Sequence, residues 1–286
     1  MKIKMLISVF CLCSLSACTT EKYLFSIEEN NGKYGYINID GNVIITPQFD
    51  YAESFSEGLA LVKVDEKCGF IDKKGTIVIT PQFDYWGTAS FSEGFARVTV
   101  DGKCGFIDKK GTIVITPQFD YWGTASFSEG LACVKVDGKC GFIDKKGTIV
   151  ITPQFDYAES FSEGLALVKV DGKRGFIDKK GTIVITPQFD YAESFSEGLA
   201  LVGVDGKRGF IDKKGTIVIT PQFDYADSFS EGLALVIVDG KPGFIDKKGT
   251  IVITPQFDYA ESFSEGLALV KVDGKCCFID KKEQSS

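Results

Sequence analysis

The chain contains no histidine, and it has only two tryptophans and two methionines among its 286 residues. Without histidine there is no Ser-His-Asp or Cys-His catalytic arrangement, no imidazole metal ligand and no imidazole general base. The sequence also lacks a Walker loop, a Gly-x-Gly-x-x-Gly loop and a His-Glu-x-x-His motif. These absences predict a protein that is not an enzyme and that holds neither a metal nor another cofactor.

Carboxylates are the one class of catalytic group that the chain has in abundance, and glycosidases work with carboxylates alone. Asp84 and Glu93 are the candidate acids, and both recur along the chain. A unique active site needs residues that differ from their copies, so a carboxylate-based hydrolase is the weakest alternative. Asp84 and its copies also lack the Asp-x-Asp-x-Asp-Gly spacing of a calcium loop, which favours turn or solvated carboxylates over a calcium ladder.

Helical periodicity is absent as well, because Gly or Pro interrupts every segment and no window repeats its apolar residues every 3.6 positions. The chain instead carries an internal tandem repeat, which determines the architecture. The stretch Gly-Thr-Ile-Val-Ile-Thr-Pro-Gln-Phe-Asp-Tyr occurs unchanged from Gly75, Gly111, Gly147, Gly181, Gly215 and Gly249, with a variant from Gly41.

Each repeat contains three strand-like segments, of the types Ala-Leu-Val-Lys-Val, Gly-Phe-Ile-Asp and Thr-Ile-Val-Ile-Thr. Asp-Gly joins the first two as a type I′ turn, and Lys-Lys-Gly joins the second to the third. The following Pro is predicted to end the third strand, because it lacks a donor. A two-residue turn pairs Leu61 with Phe70 and Val62 with Gly69, which leaves one face of the hairpin fully apolar.

The repeats predict an all-β fold of about seven three-stranded meander units. Such a unit cannot bury its apolar face alone, so neighbours must stack. The segment from Tyr23 resembles a first strand, and an additional two-strand unit follows the last Pro-Gln-Phe-Asp-Tyr. The units are shorter than the roughly 40–50 residues of propeller repeats. We therefore predict an open β-solenoid or superhelical array, with a seven-bladed β-propeller as the alternative.

The combined pattern resembles a known family. Gly-Phe-Ile-Asp-Lys-Lys-Gly, Ile-Val, Pro-Gln-Phe-Asp and Phe-Ser-Glu-Gly-Leu-Ala-x-Val, in that order, are similar to the WG-repeat (WG-containing repeat) proteins of bacteria, over residues 23–282. The family's name-giving Trp before Gly is absent from this chain. Its place holds Tyr34, Cys68, Cys104, Cys140, Arg174, Arg208, Pro242 and Cys276. The resemblance implies an interaction module with no established chemistry.

The N-terminus predicts export. Lys2 and Lys4 precede an apolar run that is too short to span a bilayer as a helix and that ends in Leu-Ser-Ala-Cys. This ending resembles the lipobox of bacterial lipoproteins, which implies that Cys18 is the first mature residue and carries the acyl chains of a membrane anchor. An ordinary secretory signal is the alternative. We predict a signal peptide at 1–17, a lipidated N-terminus and tether at 18–22, the array at 23–282 and a tail at 283–286.

Charge and architecture together indicate the class of function. Acidic residues outnumber basic ones by 39 to 32, which makes nucleic acid a poor partner. We expect a lipid-anchored, exported repeat protein that presents an extended surface to an unknown protein or glycan, with the outer membrane as its location in a Gram-negative cell. A structural spacer of the cell envelope is the alternative function.

Two features differ between copies and are therefore candidates for specificity. Trp86 and Trp122 lie in the two repeats where Trp-Gly-Thr-Ala-Ser replaces Ala-Glu-Ser, and an aromatic pair can bind a sugar or a protein. The alternative is that each Trp fills the space made by its own insertion. Six cysteines of the array are predicted to be free thiols rather than bridged or metal-bound: Cys68, Cys104, Cys133, Cys140, Cys276 and Cys277.

Overall fold

The computed structural model describes residues 23–85, 88–120 and 126–282, and this part of the chain consists of strands joined by turns. No helix occurs within these ranges, and hence none that is long and apolar enough to cross a membrane. The all-β prediction is confirmed. The predicted signal peptide, Cys18, Trp86, Trp122 and residues 283–286 lie outside the described residues.

The described strands form seven sheets that hold eight copies of one hairpin. We call each hairpin with its flanking strands a module, and number the modules 1 to 8 along the chain. The chain divides into two compact units, Met1–Pro153 and Gln154–Ser286, and the third strand of module 4 runs across this division. Modules 1 to 4 otherwise belong to the first unit, and modules 5 to 8 to the second.

In the first unit, module 1 is a three-stranded sheet, module 2 is four-stranded, and modules 3 and 4 share a six-stranded sheet. Their strands are β1 (Leu24–Glu28), β2 (Tyr34–Asn38), β3 (Val43–Phe49), β4 (Tyr51–Ala52), β5 (Leu59–Val64), β6 (Lys67–Asp72), β7 (Ile77–Asp84), β8 (Phe95–Val100), β9 (Lys103–Asp108), β10 (Ile113–Asp120), β11 (Leu131–Val136), β12 (Lys139–Asp144) and β13 (Ile149–Phe155).

In the second unit, modules 5, 6 and 7 are four-stranded sheets and module 8 has three strands. Their strands are β14 (Tyr157–Ala158), β15 (Leu165–Val170), β16 (Lys173–Asp178), β17 (Ile183–Phe189), β18 (Tyr191–Ala192), β19 (Leu199–Val204), β20 (Lys207–Asp212), β21 (Ile217–Phe223), β22 (Tyr225–Ala226), β23 (Leu233–Val238), β24 (Lys241–Asp246), β25 (Ile251–Ile253), β26 (Tyr259–Ala260), β27 (Leu267–Val272) and β28 (Lys275–Asp280).

The hairpin has the predicted register. On β5 and β6, Leu61 pairs with Phe70 and Val62 pairs with Gly69. The turn is of type I′, because both central residues have positive φ, as Asp101 (49°) shows in module 3.

The short strand β4 was not predicted: Tyr51 pairs with Lys63 and adds a fourth strand to the meander. Two residues are too few to show an alternating pattern in a sequence.

The prediction that Pro ends the third strand is wrong in most modules. In module 2, β7 continues through Pro81, and Phe70 pairs with Ile79 while Cys68 pairs with Phe83. Three residues of β7, Thr80 to Gln82, therefore face Gly69 alone, and this bulge takes Pro81 out of the hydrogen-bonded ladder, where its missing N–H costs nothing. In module 7, by contrast, β25 ends at Ile253, before the proline.

The core lies between successive modules rather than inside each sheet. One face of module 2 contributes Leu61, Phe70 and Ile79 to a cluster that also contains Phe91 and Val98 of the next module. The other face, predicted to be fully apolar, buries Ala60, Val62 and Ile71 against module 1. Clusters of the same composition join modules 3 and 4, 5 and 6, 6 and 7, and 7 and 8.

Both ends of the described array differ from its middle. The segment after Tyr23 forms β1 and pairs with β2, as the sequence predicted. Module 8 is the additional hairpin that follows the last repeat, and its strand β28 forms one edge of the sheet. Phe278 is 69% exposed because the described residues contain no module beyond module 8 to cover it, whereas its counterpart Phe244 in module 7 is buried against Phe263 of module 8.

Candidate interaction surface

An exposed Ile-Val pair begins the third strand in most modules. In module 2, Ile77 is 52% exposed and Val78 is 42% exposed, whereas Ile79 is buried. The same exposure is found at Val43, Ile44, Ile113, Val114, Ile149, Val150, Ile183, Val184, Ile217, Val218 and Ile251. We call these residues the Ile-Val surface.

The local backbone explains why two successive apolar residues face solvent. Ile77 pairs with Ile71 and Ile79 pairs with Phe70, so Val78 is an extra residue at a bulge. A bulge interrupts the alternation of side chains, so Ile77 and Val78 are both exposed while Ile79 is buried. Contiguous exposed apolar patches mark interaction sites, which makes these residues, taken separately in each unit, the candidate interaction surface.

The Lys-Lys-Gly turns beside this surface are not simply solvated. Lys109 donates from Nζ to the backbone oxygen of Glu57 at 3.0 Å and forms an ion pair with its carboxylate at 3.1 Å. The Glu57 carboxylate also accepts the N–H of Gly94 at 3.0 Å. Glu57 itself has a φ of 52°, which a non-glycine residue adopts only when its surroundings hold it there. This glutamate therefore links neighbouring modules.

Asp84 and Glu93, the candidate catalytic acids, have structural partners of this kind. Asp84 accepts a hydrogen bond from Lys67 Nζ at 2.7 Å, and this bond lowers the pKa of the Asp84 carboxyl. Glu93 accepts the N–H of Gly130 at 3.0 Å and pairs with Lys145 at 3.2 Å. The described residues contain no group of three or more acids and thiols arranged to hold a metal ion.

A second row of contacts joins modules through the Ala-Glu-Ser segment. In the second unit, Tyr259 donates to Glu261 at 2.9 Å, and the corresponding Glu159 of module 5 accepts from Tyr157 at 3.0 Å and from Ser194 of module 6 at 2.7 Å. In the Trp-containing repeats no carboxylate stands at this position, but Ser90 of the first of them still donates to Glu53 of module 2 at 2.6 Å.

Basic side chains cover several tyrosine rings of the same row. Lys63 Nζ lies 4.6 Å from the centre of the Tyr85 ring. In the second unit, Arg174 and Arg208 both lie over Tyr191, at 4.9 and 3.8 Å. Cations at these distances are attracted by the electron-rich face of the ring.

Four of the six cysteines of the array are buried and two are exposed, and all six are free thiols. Cys133 and Cys140 lie diagonally on one face of their hairpin, two register positions apart, as predicted. Their thiols are hydrogen-bonded, and this bond together with burial raises the pKa of Cys133. Cys276 and Cys277, at the edge strand of module 8, are exposed because no third strand follows in the described residues.

The modules next to the Trp insertions differ from the others in their buried residues too. Arg97 is only 5% exposed and stands where module 2 has Leu61, and Thr99, which is also buried, stands where it has Lys63. The Trp86 and Trp122 side chains lie outside the described residues, so their role stays a prediction. The unusual buried residues beside them were visible in the sequence as departures from the repeat.

Several solved structures are similar to this chain but distant in sequence. A eukaryotic initiation factor is 12% identical, with 87% of this chain and 78% of that chain covered and a TM-score of 0.57. BamB from Moraxella catarrhalis is 13% identical, with 80% of each chain covered and a TM-score of 0.49. The WD40 β-propeller domain of Doa1 is 13% identical, with 88% and 87% covered and a TM-score of 0.35. At 12% identity the likeness to the initiation factor bears on the fold alone.

No curated protein matches the chain. The family model described as WG containing repeat matches seven consecutive segments, at residues 34–68, 69–104, 105–140, 141–173, 175–207, 209–241 and 243–276. These segments comprise most of the chain and coincide with the repeats described above. The protein is therefore a member of the WG-containing repeat family.

Proposed function

We propose that this protein is an exported, lipid-anchored repeat scaffold that binds a protein or glycan partner through the Ile-Val surface. The observation that carries the proposal is the exposure of the same apolar pair in successive modules. A folded protein gains stability by burying such residues, so their repeated exposure calls for an external partner.

Repetition makes weak contacts effective. Each module offers only two apolar side chains, of which Ile113 and Val114 are an example at 50% and 42% exposure. A partner that is itself repetitive engages several modules at once, and each further contact forms at a high effective concentration. The Trp86 and Trp122 insertions, which occur in two repeats only, supply the specificity in this proposal.

The membrane anchor in the proposal rests on the Leu-Ser-Ala-Cys sequence that ends at Cys18. More than one acyl chain on that residue would anchor the protein stably, since each buried methylene adds roughly 0.8 kcal/mol. Cells that express the chain are grown with labelled palmitate, and the label is followed on the purified protein. Wild-type protein should be labelled and found in the membrane fraction, and a Cys18→Ser variant should be neither. Equal labelling of both would refute the anchor.

The binding surface is tested by capture from envelope extracts with the full chain in mild detergent. A first variant replaces Ile113, Val114, Ile149 and Val150 with Thr, which keeps the β-branched shape and removes apolar surface. A second replaces Trp86 and Trp122 with Ala. A partner that is retained by wild type and lost with the Thr variant supports the Ile-Val surface. Loss with the Trp variant alone places recognition in the insertions.

The spacer function predicts a different result. A spacer needs length and stiffness, so no partner should be retained above background, and the Thr variant should behave as wild type in every assay. Deleting two internal repeats would then shorten the molecule without changing any affinity, whereas a multivalent binder would lose avidity.

A further inference from the structure

An open cavity of about 460 Å³ lies between modules 7 and 8, within the second unit. Two tyrosines from successive modules, Tyr225 and Tyr259, line it, and both rings are about half exposed. The other residues that bear on its chemistry are Asp227, Ile237, Pro242, Asp258, Ala260 and Glu261.

In two other pairs of modules a basic side chain of this protein lies at the corresponding place. Between modules 5 and 6, Arg174 lies over the Tyr191 ring and donates from Nη1 to the carbonyl oxygen of Ala192 at 2.9 Å. Between modules 2 and 3, Lys63 lies over the Tyr85 ring at 4.6 Å. In both cases the cation comes from the hairpin that precedes the tyrosine.

In module 7 the residues that supply these cations have been replaced by uncharged ones. Pro242 stands where module 5 has Arg174, and Ile237 stands where module 2 has Lys63. Neither can reach the Tyr259 ring with a charge. Arg208, the corresponding residue of module 6, lies over the Tyr191 ring of its own module, 3.8 Å from the ring centre. The cavity is therefore the space that a cation occupies elsewhere in the repeat.

The cavity keeps the carboxylates that accompany the tyrosines in other modules, although it lacks the basic side chains. Tyr225 donates to Asp227, and Tyr259 donates to Glu261 at 2.9 Å, so both hydroxyl groups are engaged and the ring faces stay open to the cavity. Asp258 also lines the cavity, and its carboxylate pairs with Lys241 at 2.8 Å. Lys271, which pairs with Tyr259 in the β-ladder, is not among the lining residues.

We propose that the cavity between Tyr225 and Tyr259 is a binding site for a guanidinium group, supplied by an arginine side chain or by a free guanidine compound. The guanidinium stacks on the Tyr259 ring, donates to the carbonyl oxygen of Ala260 as Arg174 does to that of Ala192, and is attracted by Asp227 and Glu261. The site depends neither on the Ile-Val surface nor on Cys18, so it stands or falls separately from the proposed function.

The contacts of Arg174 with Tyr191 and Ala192 indicate that the ligand group is planar. Arg174 uses one guanidinium to contact both a ring face and a backbone oxygen, which an ammonium group, with its compact point charge, does less well. Citrulline has nearly the same shape as arginine but no charge, so it separates the charge from the shape of the ligand.

The test is a titration of the full chain, purified in mild detergent and labelled on its tyrosine rings, followed by nuclear magnetic resonance. The probes are acetyl-arginine amide, acetyl-citrulline amide and agmatine. We expect the Tyr225 and Tyr259 resonances to shift with acetyl-arginine amide and not with acetyl-citrulline amide. Equal binding of the citrulline compound would overturn the proposal. A preference for agmatine or for the arginine amide tells which source of guanidinium the site favours.

Variants drawn from the chain's own repeats make the test specific. Pro242→Arg restores the residue of modules 5 and 6, fills the cavity from within and should weaken binding of acetyl-arginine amide at least about tenfold. Asp40→Asn, at an exposed turn of module 1, leaves every residue of the cavity in place and should leave binding unchanged. Tyr259→Leu should weaken binding as Pro242→Arg does. Wild-type affinity in the Pro242→Arg variant, with the fold intact by circular dichroism, would contradict the site.

Discussion

Gly209 lies so close to Pro221 that a β carbon on Gly209 would be 2.5 Å from the proline nitrogen. Such a β carbon would also lie 2.4 Å from the carbonyl oxygen of Ile219. Both neighbours belong to the bulged third strand, whose backbone cannot move aside without leaving its sheet. The glycine before each Phe-Ile-Asp is therefore required by a close approach of two backbones, and only the last hairpin, with Cys277, lacks it.

Gly209→Ala should be strongly destabilising for this reason. We expect the free energy of unfolding to fall by about 1–3 kcal/mol or more, because the added methyl group meets backbone rather than a flexible side chain. The matched control is Cys277→Gly, at the position where no described third strand approaches, and it should change stability little. Urea denaturation of both variants measures this, and equal effects at the two positions would contradict the account.

Aromatic pairs between modules allow a second comparison. Phe176 and Phe195 have ring centres 4.9 Å apart, and both side chains are buried. Phe176→Ala should cost about 3–5 kcal/mol. A double-mutant cycle with Phe195→Ala should show a coupling of about 0.5–1.5 kcal/mol beyond the lost burial.

The control for the aromatic pair is Phe278→Ala, at the same place in module 8. Phe278 is 69% exposed, so its truncation should change stability by less than about 0.5 kcal/mol. A large loss at Phe278 would mean that this ring is covered in solution.

Local rules predicted much of this fold. The two-residue turn, which is Asp65-Glu66 in module 2, determined the register of Val62 with Gly69, and the register determined which face is apolar. Neither the bulge at Val78 nor the second bulge, where the Pro81 backbone approaches Gly69, was predictable, because a sequence does not show how closely two backbones approach. The strand-ending role assigned to proline failed for the same reason.

The candidate sites depend on contacts between modules, which repeat spacing does not reveal. Pro242 was visible as a departure from the other copies, but its meaning required the position of Arg174 over the ring of the following module. The link from Glu57 to Lys109 was hidden for the opposite reason, since both residues are identical in nearly every copy. Variable positions stand out in the sequence of a repeat. The contacts that join its modules are made by residues that are the same in nearly every copy.

Acid should weaken the links between modules. The hydrogen bond from Lys281 lowers the pKa of Glu231, and that from Lys173 lowers the pKa of Asp190. A carboxyl with a lowered pKa in the folded state binds protons more readily when unfolded, so stability is present at neutral pH and is lost as the pH falls below about 4.5. Urea midpoints measured from pH 7 to pH 3 should decrease in that range.

Glu231→Gln provides the control for the pH dependence, because it keeps the shape and removes the titrating group. Its stability should be lower than that of wild type at pH 7, and the difference should shrink towards pH 3. A difference that stays constant over the whole range would show that the pairing of Glu231 with Lys281 does not contribute to stability.

Thiol reactivity should divide the cysteines by position. Burial raises the pKa of Cys68 to about 12, and the bond to Cys140 together with burial raises that of Cys133, so neither forms the reactive thiolate readily. Cys276 and Cys277 are exposed. We expect iodoacetamide to modify only Cys276 and Cys277 of the array in the native chain, and all six array cysteines in urea. Peptide mass spectrometry reads each site, and early modification of Cys68, or a bridge between Cys133 and Cys140, would contradict the structure.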